Sequence, residues 1–406
     1  MDSLTQLALG AAVGEAAMGK KLGNRAMVWG AFGGLLPDLD VMAMFFTDEM
    51  GALAFHRGFM HSFVFSLMAS LALGWLVHRL YDSGFYKTLF YKGLVSTFVL
   101  GIYTLLGLGL HMILKEAVET PFWIGLFVAI GAGMALLLWF RYVRKDLQPV
   151  SLSVRNWVWL FFLAIFTHPL LDNFTAFGTQ IFQPFSDYRV SFSNISVVDP
   201  LYTIWLLIGI GVAAFLRRQN KWRRWVNWAG LALSSAYMVF TLYHKVQVNR
   251  IFEASLKEQG IAYTRYTTSP TILTNYLWNG LAEGDTAFYH AQYSLFDEES
   301  TFPQVNVLPK GLELISGHEE DRAIKILRWF SKGYFNIITR ADGKLQLNDL
   351  RFGSFDGKFD AEDKYIFRFI LEEKDGELDA HQERGGREIN KEELDKYFSR
   401  VLGHRD

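Results

Sequence analysis

The chain begins as a succession of long apolar stretches separated by short polar ones. Eight stretches approach the roughly 20 mostly apolar residues that a membrane-crossing helix needs. They are Leu4–Met18, Ala26–Phe46, Phe59–His78, Gly93–Leu114, Phe122–Phe140, Asn156–Thr175, Leu201–Leu216 and Trp225–His244. The first is short and rich in Ala and Gly. It lacks a basic leader and starts with Asp2, so it is expected to be retained rather than cleaved as a signal. After about Lys245 the pattern changes. Val246–Gln259 continues a helix, and Ile261–Thr268, Thr271–Leu277, Ala287–Leu295, Tyr334–Thr339 and Tyr365–Leu371 read as strands. Turns such as Ala341-Asp342-Gly343 separate them, and His318–Trp329 and Lys391–Leu402 read as amphipathic helices. The charged stretch Glu372–Glu388 is expected to be mobile. The expected fold is therefore mainly α. Residues 1–244 form a polytopic bundle of about eight transmembrane helices, and residues 245–406 form a soluble α+β domain.

Composition sharpens this division. In residues 1–244, 31 side chains are charged, or about 13%; in residues 245–406, 50 of 162 are charged, or about 31%. The usual figure for globular proteins is about 25%, so a single soluble globule is excluded. A net charge of -1 also excludes a nucleic-acid binder driven by a basic field. The absence of cysteine removes disulfides, thiolate metal sites and a cysteine nucleophile.

Charge also suggests a topology. Fifteen Lys and Arg fall in alternate connections, such as Lys20, Lys21 and Arg25, or the group from Arg217 to Arg224. The intervening connections hold only Arg57, Lys115 and Arg189. With eight crossings, the positive-inside rule puts both termini outside, and the soluble domain with them.

Charged groups inside membrane segments are costly and by default functional. Asp38 and Asp40 close the second stretch, His56 and His61 open the third, and His168 and Asp172 end the sixth. Under the eight-helix topology all fall at the outer ends of their helices, with Asp187 and Asp199 in the next loop. His168 and Asp172 are spaced i, i+4, on one helix face. Asp38 and Asp40 are spaced i, i+2. Pro37 disfavours a helical Leu36, so an irregular turn is expected to aim both carboxylates inward. Imidazole and carboxylate without thiolate suit Zn²⁺ first, with Mn²⁺ or Fe²⁺ as alternatives. The number of donors allows one ion or two about 3.5–4 Å apart. Isolated histidines near helix ends are most often interface residues, the reading taken for His78, His111 and His244. Asp199 before Pro200 is equally a helix start or a functional group. Glu15 is read as structural, paired with a snorkelling Lys20. Gly30–Gly34 reads as close helix packing rather than a phosphate loop.

The motifs Met1-Asp2-Ser3-Leu4-Thr5-Gln6, Gly34-Leu35-Leu36-Pro37-Asp38-Leu39-Asp40, His56-Arg57-Gly58-Phe59-Met60-His61-Ser62 and His168-Pro169-Leu170-Leu171-Asp172-Asn173 carry a resemblance over roughly residues 1–200. The chain resembles the YdjM-type family of membrane-bound metal-dependent hydrolases. Many relatives carry His where this chain has Gln6. The resemblance implies a multi-pass protein of the bacterial inner membrane with hydrolase chemistry on a metal-activated water. On this reading His56, His61, His168, Asp172 and Asp40 are metal ligands. Asp38 is a ligand or the general base, and Arg57 holds a phosphate or carboxylate bidentately. Arg189, beside Asp187, is a second substrate-binding candidate. A site at this depth selects a membrane lipid, either a phospholipid or lipid-phosphate ester; a lipid amide or acyl ester remains open. No Gly-x-Ser-x-Gly elbow occurs. The competing reading is an ion- or metal-coupled transporter built on the same Asp/His cluster. No nucleic acid is expected as a partner, and protein partners are left open.

Overall fold

A computed structural model of the chain describes residues 1–114, 120–302, 305–354, 357–359, 361–383 and 391–404. Its helices are α1 (Ser3–Leu22), α2 (Asn24–Leu35), α3 (Glu49–Phe55), α4 (Phe63–Asp82), α5 (Leu89–Leu114), α6 (Thr120–Leu138), α7 (Val154–Asp172), α8 (Pro200–Phe215), α9 (Lys221–Glu258), α10 (Arg322–Phe330) and α11 (Lys391–Val401). The strands are β1 (Arg265–Pro270), β2 (Leu277–Glu283), β3 (Ala287–Ser294), β4 (Asn306–Pro309), β5 (Phe335–Thr339), β6 (Leu345–Asp349), β7 (Arg368–Lys374) and β8 (Glu377–Gln382).

The helical count corrects the sequence expectation. Among the described residues four segments are long and apolar enough to cross a membrane: Asn24–Phe45, Phe63–Asp82, Pro121–Val143 and Val154–Asp172. Eight crossings are not supported. The helix α8 has 16 residues, about 24 Å at 1.5 Å per residue, short of a hydrocarbon core of about 30 Å. Among the described residues of α5, Leu89–Gly101 forms a shorter apolar helix. The helices α1 and α9 have the length but not the apolar composition: α1 carries Glu15, Lys20 and Lys21, and α9 turns Asn227, Ser234 and Thr241 into its packed face. The alternation of basic loops presupposed eight crossings, so it assigns no side to either terminus.

The chain divides into two compact units, residues 1–70 with 160–406 and residues 71–159. In the smaller unit α5 and α6 pack through Tyr103 stacked on Phe127 at 4.6 Å. The ammonium of Lys92 donates to the carbonyls of Val143 (3.1 Å) and Lys145 (2.7 Å). His78 meets the Leu152 carbonyl at 3.0 Å, and His111 stacks on Trp123.

In the larger unit α1 and α2 form a tight antiparallel pair. Gly10 and Gly14 on α1 face Gly30 and Gly34 on α2. A Cβ on Gly30 would lie 2.2 Å from the Gly10 carbonyl oxygen, so only glycine permits this approach. Gly30–Gly34 is thus a helix-packing surface, as its spacing predicts. The carboxylate of Glu15 is held by Arg223 of α9, at 2.6 Å and 2.5 Å through two parallel hydrogen bonds. That corrects the expected pairing with Lys20: the guanidinium fork from a distant helix satisfies both oxygens, and Lys20 is exposed.

The C-terminal part holds two four-stranded antiparallel meanders, β1-β2-β3-β4 and β5-β6-β7-β8. Val248, Phe252 and Leu256 of α9 pack on the first. Met50 of α3 is buried with α10 and the second sheet. The composition change at residues 244/245 falls inside α9, which runs unbroken to Glu258. Two sequence expectations shift here. Residues 271–276 are a loop rather than a strand, with Leu273 at φ 66°. Residues 372–382 belong to the β7–β8 hairpin instead of being mobile, because Leu378 and Ala380 plug into the core behind α10; residues 384–388 lie outside the described residues.

Candidate metal centre

Three turns of backbone bring the polar residues together. The helix α2 ends at Leu35 and tightens into a 3₁₀ segment, Leu36–Phe45, that carries Asp38 and Asp40. Leu36 itself stays helical (φ -58°, ψ -41°). The expected irregular turn is therefore replaced by a change of helical pitch, which leaves the two carboxylates at different depths. His56 caps α3 in extended geometry, Arg57 takes a left-handed φ of 56°, and the short helix Phe59–His61 delivers His61 just before α4. His168 and Asp172 share one face of the last turns of α7.

At the centre the Nε2 atoms of His61 and His168 face one another at 3.1 Å. Asp38 Oδ1 lies 3.6 Å from the first and 3.3 Å from the second. Asp172 Oδ2 lies 3.5 Å from each. The outer nitrogen of each ring faces an oxygen. His168 Nδ1 donates to the Gly34 carbonyl at 2.5 Å, one of the last carbonyls of α2. His61 Nδ1 lies 3.1 Å from Asp40 Oδ2. With its Nδ1 protonated on that carbonyl, His168 offers its Nε2 as a lone-pair donor. The centre thus gathers two imidazole nitrogens between the oxygens of Asp38 and Asp172. A tetrahedral metal at about 2.0–2.1 Å from its ligands holds them roughly 3.3 Å apart. The edges among Asp38 Oδ1 and the two Nε2 atoms, 3.1 to 3.6 Å, come near that spacing, so these three donors fit a divalent ion.

The remaining candidates lie around this centre. Asp40 is buried behind it, accepting from the Arg57 amide (2.7 Å) and meeting His56 Nδ1 (2.8 Å) as well as His61. His56 thus stands beyond Asp40, with a third of its side chain exposed. Arg57 is buried, with Nε 3.2 Å from Asp172 Oδ2 and Nη1 donating to Thr175 Oγ1 at 2.9 Å. Its guanidinium lies 4.6 Å from the centroid of the Phe177 ring. Arg189 approaches the same ring at 4.7 Å and is 2% exposed, donating to the carbonyls of Phe177 and Gly178. Among the described residues no carboxylate pairs with it, and its Nη1 is buried without a hydrogen-bond partner. Burial, then the nearby Arg351 and Arg57, push its guanidinium below the usual range. Asp187 is exposed at the loop surface. Asp199 caps α8, accepting from the amides of Leu201 and Tyr202 and from the Tyr237 hydroxyl. His244 meets the Asn275 side chain at 2.9 Å.

Several supporting groups carried no sequence signal of their own. The Gly34 carbonyl and Phe177 are of this kind, since main-chain acceptors and packing rings have no signature. Gln6 lay in a recognisable motif. Its amide donates to Asp172 Oδ1 at 2.9 Å, and the Met1 amino group contacts the same oxygen.

A family model described as the YdjM inner membrane protein matches residues 1–115 and 123–248. The chain belongs to the YdjM inner membrane protein family. The matched span contains every residue of the Asp/His cluster, and the β-sheets lie beyond it. No curated protein and no solved structure matches this chain.

Proposed function

We propose that this YdjM-family membrane protein is a metal-dependent hydrolase acting on a lipidic phosphoester. One observation carries the reading: Asp38 Oδ1 and the facing Nε2 atoms of His61 and His168 lie within the spacing of a divalent metal's donors, with Asp172 Oδ2 3.5 Å from each nitrogen. Zn²⁺ is the first choice for such nitrogen and oxygen donors. A metal bound there supplies a water whose pKa falls from 15.7 toward 7.

The protein's own groups divide the remaining work. The Gly34 carbonyl orients His168 and leaves its Nε2 free, while Asp40 stands 3.1 Å behind His61 Nδ1. Asp38 is the only member of the donor set with a solvent-facing side chain, 23% exposed, so it is placed to take a proton from an entering water. Arg57 and Arg189 put positive charge beside Asp172 and around Phe177, where an anionic headgroup group such as a phosphoryl is stabilised. The cluster opens at Asp38 and His56, and the neighbouring Leu39, Val41 and Met42 are exposed apolar residues on the same 3₁₀ segment. That apolar approach favours a lipid over a water-borne substrate.

The position of the cluster weighs against a transporter. Asp38 lies in the last turns of one span, His61 just before another, and His168 and Asp172 at the end of a third, whereas transporters bind near the midplane. The test is metal content and turnover together. The purified chain should hold divalent metal, lose phosphate release from lipid esters on chelation, and regain it with Zn²⁺. His61→Ala and His168→Ala should each lose the metal. Metal uptake into proteoliposomes without any product would refute the hydrolase reading.

A further inference from the structure

The loop after α7 presents four large aromatic residues to the outside. Phe182 is 56% exposed, Phe185 85%, Tyr188 63% and Phe192 51%. Exposed aromatics in this density on a surface loop mark an interaction site rather than random scatter. The loop is also rigid. Thr179 and Val190 exchange two backbone hydrogen bonds, at 3.0 and 2.9 Å, closing its base. The Phe185 amide donates to the Phe182 carbonyl (3.0 Å), and Gln183 Nε2 donates to Gln180 Oε1 (2.7 Å). The aromatics are therefore held outward by a fixed backbone.

The height of the loop identifies what it meets. The Phe63 amide, at the very start of the membrane-length helix α4, donates to the Ile181 carbonyl at 3.0 Å. The loop thus sits level with the end of a membrane span, as does Asp172 at the end of α7. That is the level of the membrane–water boundary, where aromatic side chains are enriched. Lys332 brings its ammonium to 5.9 Å from the Tyr188 ring, a cation beside the aromatic loop.

We propose that residues 182–192 form a wedge that inserts into the phospholipid interface beside the mouth of the Asp/His cluster. The wedge is coupled to that cluster by two short links. The Gln180 amide donates to the Arg57 carbonyl at 3.0 Å, and Gln180 Nε2 donates to the Ala54 carbonyl at 3.1 Å. Seating the wedge in lipid therefore fixes the backbone from which His56 and Arg57 project. The inference does not depend on hydrolysis taking place.

The chain contains no cysteine, so a single introduced cysteine is the sole labelling site. The full-length Phe185→Cys protein, spin-labelled in nanodiscs of phosphatidylcholine with phosphatidylglycerol, is read by electron paramagnetic resonance with oxygen and a water-soluble nickel chelate as relaxants. Glu320→Cys, whose parent side chain is 83% exposed, serves as the water reference. The wedge requires an oxygen-to-nickel accessibility ratio several-fold above the reference at Phe185→Cys, and likewise at Phe182→Cys. A ratio equal to the reference would overturn it, showing a loop in water. Poor access to both relaxants would overturn it equally, showing that protein, such as a second copy, covers the loop. The readout is independent of turnover, so an inactive protein leaves the test intact.

Discussion

His61 and His168 turn their Nε2 atoms toward one another, and the residues behind them decide whether those atoms are available. Asp40 is the clearest case, since it reaches His56, His61 and the Arg57 amide with its two oxygens. Removing its negative charge while keeping its shape should loosen His61 without emptying the fold. Asp40→Asn is therefore expected to weaken metal binding by roughly 10- to 100-fold, the usual effect of losing a group that orients a ligand. Chelator competition on the purified chain measures this. Unchanged affinity would mean that His61 is held by packing alone. The sequence placed all of these residues at one level because charge in apolar stretches stands out. It put Asp40 ahead of Asp38 as a metal ligand, an order that spacing alone does not establish. Asp38 and Asp40 look equivalent as letters, and only the 3₁₀ pitch puts Asp38 toward the imidazole pair and Asp40 behind it.

At the scale of elements, the α1–α2 crossing sets the position from which the 3₁₀ segment departs. A Cβ at Gly30 would stand 2.2 Å from the Gly10 carbonyl oxygen and 2.8 Å from the Gly14 Cα, both backbone atoms that cannot rotate away. Gly30→Val should therefore separate the helices and cost about 1–3 kcal/mol or more, the range for overpacked sites. A lowered melting temperature in detergent, with reduced metal retention, is the expected result. The glycine spacing made this contact legible in the sequence. Strand β3 carries a feature that the sequence left silent. His290 is fully buried, neither ring nitrogen has a hydrogen-bond partner, and burial pulls its pKa down to about 3. An unfolded histidine titrates near 6.5. The folded form thus refuses a proton that the unfolded form accepts as pH drops below about 6.5. Stability contributed by the neutral ring is present above that pH and is lost as pH falls toward 3. By pH 5 the loss is about 2 kcal/mol. Denaturant unfolding should show His290→Leu gaining on the parent by about that much between pH 8 and pH 5. A pH-independent difference would show that the ring is not held neutral.

Across the larger unit, the β-sheets and the helical part are one packed body rather than beads on a linker. Met50, eleven residues before His61, is buried against α10 and the second sheet. Phe177, the ring beneath Arg57 and Arg189, lies 5.0 Å from Phe330 of α10. Phe330 is fully buried, so Phe330→Ala is expected to cost about 3–5 kcal/mol. Because the same ring supports Phe177, metal affinity should fall along with the melting temperature. A stability loss with unaltered metal binding would show that the C-terminal domain does not brace the centre. By itself the sequence determined the membrane character, the change of composition near residue 245, the family and the inventory of Asp and His at helix ends. Each of these is written locally, in runs of apolar residues or in short motifs. The tertiary structure decided what local pattern cannot contain. Among the described residues it reduced the membrane-length helices to four, because hydropathy runs do not record where a helix breaks or which polar face it packs. It gave Glu15 to Arg223 over Lys20, made a hairpin of a charged tail, and chose Asp38 with His61 and His168 as the inner donors. Those outcomes depend on side chains meeting across stretches of chain well beyond a single element, where distance and hydrogen-bond geometry, not spacing, select the partner.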